Sequence, residues 1–180
     1  SCLRIATGYG PDDMHVQSLA APRLIISSHD RRNFRSHGNI YSLPIDSLKA
    51  SIMARSGEPD GFALRPHGLD LIQRDGRWWL YVINHDKELF SDQHTLVIYE
   101  VSGDTLVFQQ ELQSPLLTAP NDVAVADNGD IYVTNEREDG ASIAEFLTST
   151  TGQVLGELVA ASEFAVEPAQ RDAWLHELEV

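Results

Sequence analysis

The sequence predicts an all-β fold made of propeller blades, followed by a helical C-terminal tail. Three segments support this prediction, because each places a polar pair ahead of a strand, a turn and a second strand. The pairs are Asp12-Asp13, His67-Gly68 and Asn121-Asp122, and they recur after 55 and then 54 positions. So regular a period indicates repeated units. About four strands fit into each unit, as in a blade of roughly 40–50 residues.

The first two units contain the strand patterns that a blade requires. After Asp12-Asp13, apolar runs at 23–28 and 38–44 predict strands, and the polar loop between them carries His29 and His37. Both histidines are predicted to lie on the surface. In the second unit, the run 79–84 ends next to His85, and the runs 95–101 and 105–112 flank a Ser-Gly-Asp turn.

The third unit starts after a proline. Pro120 favours an extended residue before it, so Asn121-Asp122 is predicted to enter a strand. The segment 127–130 reads Asp-Asn-Gly-Asp but lacks the ligand spacing and the final glutamate of a calcium loop. It is therefore predicted to be a hairpin turn.

From residue 140 the apolar spacing becomes typical of helices. Two groups of residues each occupy one helix face, and Pro168 is suited to begin a last helix over 168–179. The prediction is therefore a partial propeller over 1–140 and a helical tail over 141–180, which covers an open blade edge or mediates dimerisation. The two groups are Ile143, Phe146 and Leu147, and then Leu155, Leu158 and Val159.

Composition limits the function further. With 42% hydrophobic and 22% charged residues, the 180-residue chain resembles a single soluble globular domain. The net charge of −14 disfavours nucleic acid and anionic membranes as partners. No apolar run approaches the roughly 18 residues that a transmembrane helix needs. The chain starts at Ser1 without methionine, so either a leader has been removed, with a secreted or periplasmic location, or the sequence was chosen to start there.

The length of the chain conflicts with a closed ring. Four blades of about 54 residues would need more than 200 residues, whereas the chain has 180. We therefore expect a fragment, an association of copies, or a ring completed by another component.

In a propeller, the first strand of each blade lines the central channel, so the repeated polar pairs would converge on the axis. This places Asp12, Asp13, His67, Asn121 and Asp122 together. Other interpretations stay open, since Pro-Asp-Asp is common in solvated turns and a histidine between proline and glycine is often a turn residue. His85 would then be a surface residue at a strand end.

Four motifs resemble the arylesterase/paraoxonase family of calcium-dependent six-bladed propellers. In order they are CLRIATGYGPDDM, RLIISSHDRR, RPHGLDL with LYVINHD, and PLLTAPNDVAVADNGDIYVTN. The resemblance covers about 2–136, the N-terminal part of the family, and implies about two and a half of six blades. Gluconolactonase (SMP-30) and strictosidine-synthase-like propellers share the fold but are less similar, because they lack the His-Gly and Asn-His motifs.

The resemblance also implies roles for individual residues. Asp12 matches a glutamate that binds the catalytic calcium, and Asn121 matches another ligand of that ion. Asp13, Asp122 and the backbone carbonyl of Leu69 match ligands of a second, structural calcium. The other ligands belong to later blades. Cys2 matches a cysteine that, in animal enzymes, pairs with one near the far C-terminus, and this sequence has no second cysteine.

The implied chemistry is calcium-dependent hydrolysis of a small lactone or aryl ester. His67 and His85 match the proposed histidine dyad, in which the first histidine activates water and the second assists it. Two alternatives remain: a non-catalytic or truncated propeller segment that acts through association, and a sugar-lactone hydrolase of the gluconolactonase type.

Overall fold

The computed structural model describes residues 4–33, 36–88, 91–137, 140–148 and 154–161. All regular elements in these ranges are β-strands, which confirms the prediction of an all-β fold. The strands form three sheets, which follow one another along the chain. In this part of the chain, no helix has the length and apolar character needed to cross a membrane.

The first sheet pairs four strands in chain order, all antiparallel. Its second strand is rich in β-branched residues, and the consecutive residues Ile25 and Ile26 are both buried, so this strand has protein on both faces. The strands are β1 (Pro11–Gln17), β2 (Arg23–Ser28), β3 (Asn39–Pro44) and β4 (Ser51–Ile52).

The second sheet is a four-stranded antiparallel meander with a short parallel strand added at its edge. Asp75 and Gly76 connect its first two long strands with positive φ angles of 52° and 73°. Asp-Gly is preferred in such two-residue hairpin turns because both positions need positive φ. The strands are β5 (Ala54–Ser56), β6 (Pro66–Arg74), β7 (Arg77–Glu88), β8 (Ser91–Ser102) and β9 (Thr105–Gln113), with β5 beside β9.

The third sheet repeats the four-stranded antiparallel order of the first. The turn after its first strand is closed by a hydrogen bond from the Ala126 N–H to the Asp130 carbonyl. This confirms that 127–130 is a hairpin turn. The strands are β10 (Pro120–Val125), β11 (Ile131–Arg137), β12 (Gly140–Thr148) and β13 (Val154–Ala161).

The prediction of helices is wrong for 140–148 and 154–161, which form β12 and β13. A helix would place Ile143 and Phe146 on one face, but a strand places them on opposite faces because its side chains alternate. Accordingly, Ile143 is 46% exposed, whereas Phe146 is fully buried and pairs with Ile131. Pairing with β11 and burial of Phe146 outweigh the helical spacing.

The number of sheets also differs from the prediction. Two and a half blades were expected, whereas the described residues form three sheets with four antiparallel strands each. The helix predicted for 168–179 lies outside the described residues, as does Cys2. The total of six blades and the role of the tail stay predictions.

One long strand in each sheet, β1, β6 or β10, starts with proline and is irregular immediately afterwards. Pro11, Pro66 and Pro120 each begin a strand, and the pairing register then shifts by one extra residue. Proline is tolerated at the first position of a strand, and a β-bulge redirects the side chains that follow it. The bulged residues are Asp12 and Asp13, His67 and Gly68, and Asn121.

Two apolar clusters hold the sheets together, and the second sheet contributes to both. One cluster joins Ile25 and Ile40 of the first sheet to Leu80 and Tyr99 of the second. The other cluster joins Ile83 and its neighbours in the second sheet to residues of the third sheet. The second sheet is therefore covered on both faces, as expected for sheets that stack face to face. The members from the second and third sheets include Tyr81, Ile83, Leu96, Ile98, Val123, Ile131, Val133 and Phe146.

The three bulged strands lie side by side, with β6 in contact with both β1 and β10. Carboxylates link them. Asp13 on β1 accepts a hydrogen bond from the Leu69 N–H at 2.9 Å, and Asp70 on β6 accepts one from the Val125 N–H at 2.7 Å. The same type of contact thus joins each sheet to the next, and it brings the polar starts of β1, β6 and β10 together.

Candidate functional site

His67 lies in the bulge of β6 and is held through both ring nitrogens. Its Nδ1 is in close contact with Asp12 Oδ2, and its Nε2 is 2.5 Å from the Arg31 guanidinium. Arginine has only donors, so Nε2 accepts, and the hydrogen of the neutral ring is on Nδ1, which faces the Asp12 carboxylate. This assigns one neutral tautomer to a buried histidine.

The electrostatic surroundings keep His67 neutral. Burial lowers its pKa below the usual value, and the charge of Arg31 acts in the same direction. The charge of Asp12 opposes both effects without reversing them. A neutral imidazole keeps a lone pair, so His67 can accept a proton.

His85 lies at the edge of the His67 ring, with the ring centroids 4.6 Å apart and the ring planes at 74°. Its Nε2 donates a hydrogen bond to the Pro120 carbonyl at 2.7 Å, which ties β7 to the start of β10. Burial lowers the pKa of His85 to about 3, more than this hydrogen bond raises it. His85 is therefore also uncharged at neutral pH.

A third histidine extends this row. His94 pairs with His85 across β7 and β8, and their ring centroids are 4.6 Å apart. The three rings line one side of a cavity of about 250 Å³. The other lining residues are His29, Arg31, Arg65, Pro66, Ala119, Pro120, Asn121 and Glu136.

The residues predicted to hold a structural calcium meet around Gly68. A Cβ added to Gly68 would lie 2.5 Å from the Asn121 carbonyl oxygen and 2.6 Å from Asp122 Oδ1, so only glycine allows this approach. Asp13 accepts a hydrogen bond from Leu69 on the same strand. Partial burial raises the pKa of Asp122, and the neighbouring charges of Asp13 and Asp70 raise it further.

These carboxylates fit a cation in chemical type, since carboxylate oxygens are preferred calcium ligands, and the charges of Asp13 and Asp70 add to the effect of burial in raising the pKa of Asp122. They are not arranged as a finished site. Among the described residues, no three His, Cys, Asp or Glu side chains surround one point closely enough to hold a metal. Asp12 fits the predicted catalytic calcium less well, because its carboxylate already contacts His67 and Arg31.

The structure thus brings the predicted residues together at the starts of β1, β6 and β10, where His85 joins them from the end of β7. His67, His85 and Asn121 line one cavity, Asp12 contacts His67, and the remaining predicted ligands surround Gly68. These remaining ligands are Asp13, Leu69 and Asp122.

Several lining residues were not predicted from the sequence. His29 was predicted on the surface, but it is 7% exposed, lines the cavity and hydrogen-bonds the Ser36 carbonyl. His94 could have been found from the β7–β8 pairing, which places it opposite His85. Arg31 lies in an irregular loop, so its contact with His67 had no signal in strand periodicity.

The sequence matches the model of a known protein family. The arylesterase family model matches residues 32–167, which is more than half of the chain and includes His67, His85 and Asn121. A search of curated proteins found no similar sequence.

Proposed function

Because the chain belongs to the arylesterase family, we propose that it supports the calcium-dependent hydrolysis of lactones or aryl esters, with His67 as the base. Family membership itself indicates ester hydrolysis in general. The observation that carries the more specific proposal is the neutral His67 at the wall of the cavity, with a defined tautomer and its Nε2 as the accepting nitrogen.

The reaction step follows from this tautomer. A water next to Nε2 gives its proton to His67 as its oxygen attacks the carbonyl carbon of the ester. The proton then passes from His67 to the alkoxide that leaves, so the base is regenerated. The products are a carboxylic acid and an alcohol, or a hydroxy acid when the substrate is a lactone.

His85 assists His67 without taking the proton itself. Its ring packs edge-on against His67, and its Nε2–H is used by the Pro120 carbonyl. We therefore propose that His85 fixes the orientation of His67 and excludes water from one side of it. His94 supports His85 from behind in the same row.

We propose calcium as the metal, as the family resemblance implies. Asp13, Asp122 and the Leu69 carbonyl would hold a structural ion, and Asn121 would contribute to a catalytic one, whereas the Asp12 carboxylate already contacts His67 and Arg31. A catalytic calcium, when bound, would polarise the ester carbonyl and stabilise negative charge on its oxygen.

The test compares two histidine variants on a panel of phenyl acetate, an aliphatic lactone and a sugar lactone. We expect His67→Gln to lower kcat/KM by about 10²–10⁴, the usual contribution of a general base. His37→Gln is the matched control, because His37 is exposed. Full activity of His67→Gln would contradict the role of His67, and a clear preference for the sugar lactone would favour the gluconolactonase alternative.

A further inference from the structure

Asp12, His67 and Arg31 form a closed ring of contacts that the proposed reaction does not explain. Asp12 Oδ2 contacts His67 Nδ1, Arg31 Nη2 lies 2.5 Å from His67 Nε2, and Arg31 Nη1 lies 3.3 Å from Asp12 Oδ1. Each of the three residues therefore contacts the other two. The ring joins the bulges of β1 and β6 to the loop that follows β2.

The ring has opposite effects on the two nitrogens of His67. An acceptor at Nδ1 fixes the Nδ1–H tautomer and leaves the lone pair on Nε2, as in other catalytic Asp–His pairs. Arg31, however, donates a hydrogen bond to that same lone pair. A water molecule cannot give a proton to Nε2 while the guanidinium occupies it.

The two partners also differ in accessibility. The Asp12 side chain is 20% exposed and that of His67 is 9% exposed, whereas the side chain of Arg31 is 53% exposed. Arg31 can therefore swing into solvent while Asp12 and His67 stay in place. Arginine prefers planar anionic groups such as carboxylates, which the proposed hydrolysis produces.

We infer that Asp12 and Arg31 are positioning residues of His67: Asp12 fixes its tautomer, and Arg31 covers Nε2 until its exposed guanidinium swings into solvent. This inference rests on the proposed function for its purpose, but the contacts can be tested without measuring hydrolysis. It assigns the Asp12 carboxylate to the histidine rather than to a cation.

The first experiment measures the reactivity of His67 towards diethyl pyrocarbonate, which acylates a free imidazole nitrogen. Tryptic peptides separate the relevant residues, since 56–74 contains His67 as its single histidine and 78–87 contains only His85. We expect Arg31→Met to raise the rate of His67 labelling by at least about tenfold, the effect of losing a hydrogen bond to a charged group. Labelling of His85 in the same digest is the internal reference.

Arg32→Met is the matched control, because Arg32 is exposed and adjacent and its loss changes the charge equally. The rate of His67 labelling in Arg32→Met should equal that in the unaltered protein. The inference is overturned if Arg31→Met leaves the His67 rate unchanged, or if both variants raise it to the same extent. Neither result depends on esterase activity, so a failure here is distinguishable from a failure of the proposed function.

The second experiment identifies the His67 tautomer by ¹⁵N–¹H correlation of the imidazole nitrogens. We expect the Nδ1–H form in the unaltered protein, in Arg31→Met and in the control Asp30→Ala, and the Nε2–H form to appear in Asp12→Ala/Arg31→Met, where neither neighbour holds the hydrogen on Nδ1. The spectrum should keep the Nδ1–H form when calcium is added. A calcium-induced change to the Nε2–H form would show that Asp12 binds the cation, and would overturn the inference.

Discussion

At the scale of single residues, the histidines of the cavity have different surroundings although they are adjacent. His67 is held between an acid and a guanidinium, whereas His85 donates to a backbone carbonyl and packs between two other imidazoles. Burial lowers the pKa of both. The neutral state that a base requires is therefore produced mainly by desolvation.

The low pKa of His85 predicts how stability depends on pH. Above about pH 6.5 the imidazole is neutral in both the folded and the unfolded state, so it does not affect stability. As the pH falls from there towards the folded-state value of about 3, only the unfolded state gains the proton, and the free energy of unfolding decreases.

Denaturant titrations between pH 7.5 and 4 should show this loss, with a contribution from His85 of about 3–5 kcal/mol when complete. We expect the loss to be smaller in His85→Gln, which can still donate to the Pro120 carbonyl. An identical pH dependence in both proteins would show that His85 is protonated as easily in the folded state as in the unfolded state.

Sequence reasoning found the residues that occur at repeated positions but missed those that do not. His67 and Asn121 stand at equivalent strand starts, so the repeat identified them. Arg31, His29 and Arg65 have no such repeat, and they line the cavity from the loop after β2 and the segment before β6. Their positions depend on tertiary contacts rather than on local pattern.

At the scale of elements, the bulge after each leading proline is the feature that positions the site. One extra residue in β1, β6 and β10 releases the polar side chains from the regular alternation of the strand. The sequence signal was present, since Pro11, Pro66 and Pro120 each precede a polar residue. The register shift itself could not be seen, because it requires knowledge of the partner strand.

The assignment of 140–148 to a strand leads to a prediction about stability. Phe146 is fully buried in the cluster between the second and third sheets, so Phe146→Ala should lower the free energy of unfolding by about 3–5 kcal/mol. Ile143→Ala should change it by about 0.5 kcal/mol or less, because Ile143 faces solvent. Equal, large losses in chemical denaturation of both variants would instead support the helix that the apolar spacing predicts.

At the scale of the whole molecule, an excess of acidic groups surrounds the contact between sheets. The chain has a net charge of −14, and Asp13, Asp70 and Asp122 come together from the three leading strands. Repulsion between like charges at this junction opposes close packing of β1, β6 and β10. A divalent cation bound at this junction would reduce the repulsion between these carboxylates. Self-association of the chain stays a prediction.

Calcium should therefore raise the Tm of the protein. At a concentration about 100-fold above Kd, binding to the folded state alone would add about 2.7 kcal/mol to the free energy of unfolding. Asp122→Asn should reduce the calcium-induced rise in Tm, whereas Asp127→Asn, in the exposed turn of the same sheet, should keep it. The measurement is thermal unfolding with calcium or with a chelator, and an equal rise in both variants would argue against ligation by Asp122.

The two-faced burial of the second sheet has a consequence for how the protein melts. Neither outer sheet can separate without exposing one apolar face of the second sheet to water, and this exposure destabilises the second sheet. Heat is therefore expected to disrupt all three sheets together, in one calorimetric peak. An arrangement of separate units would come apart stepwise.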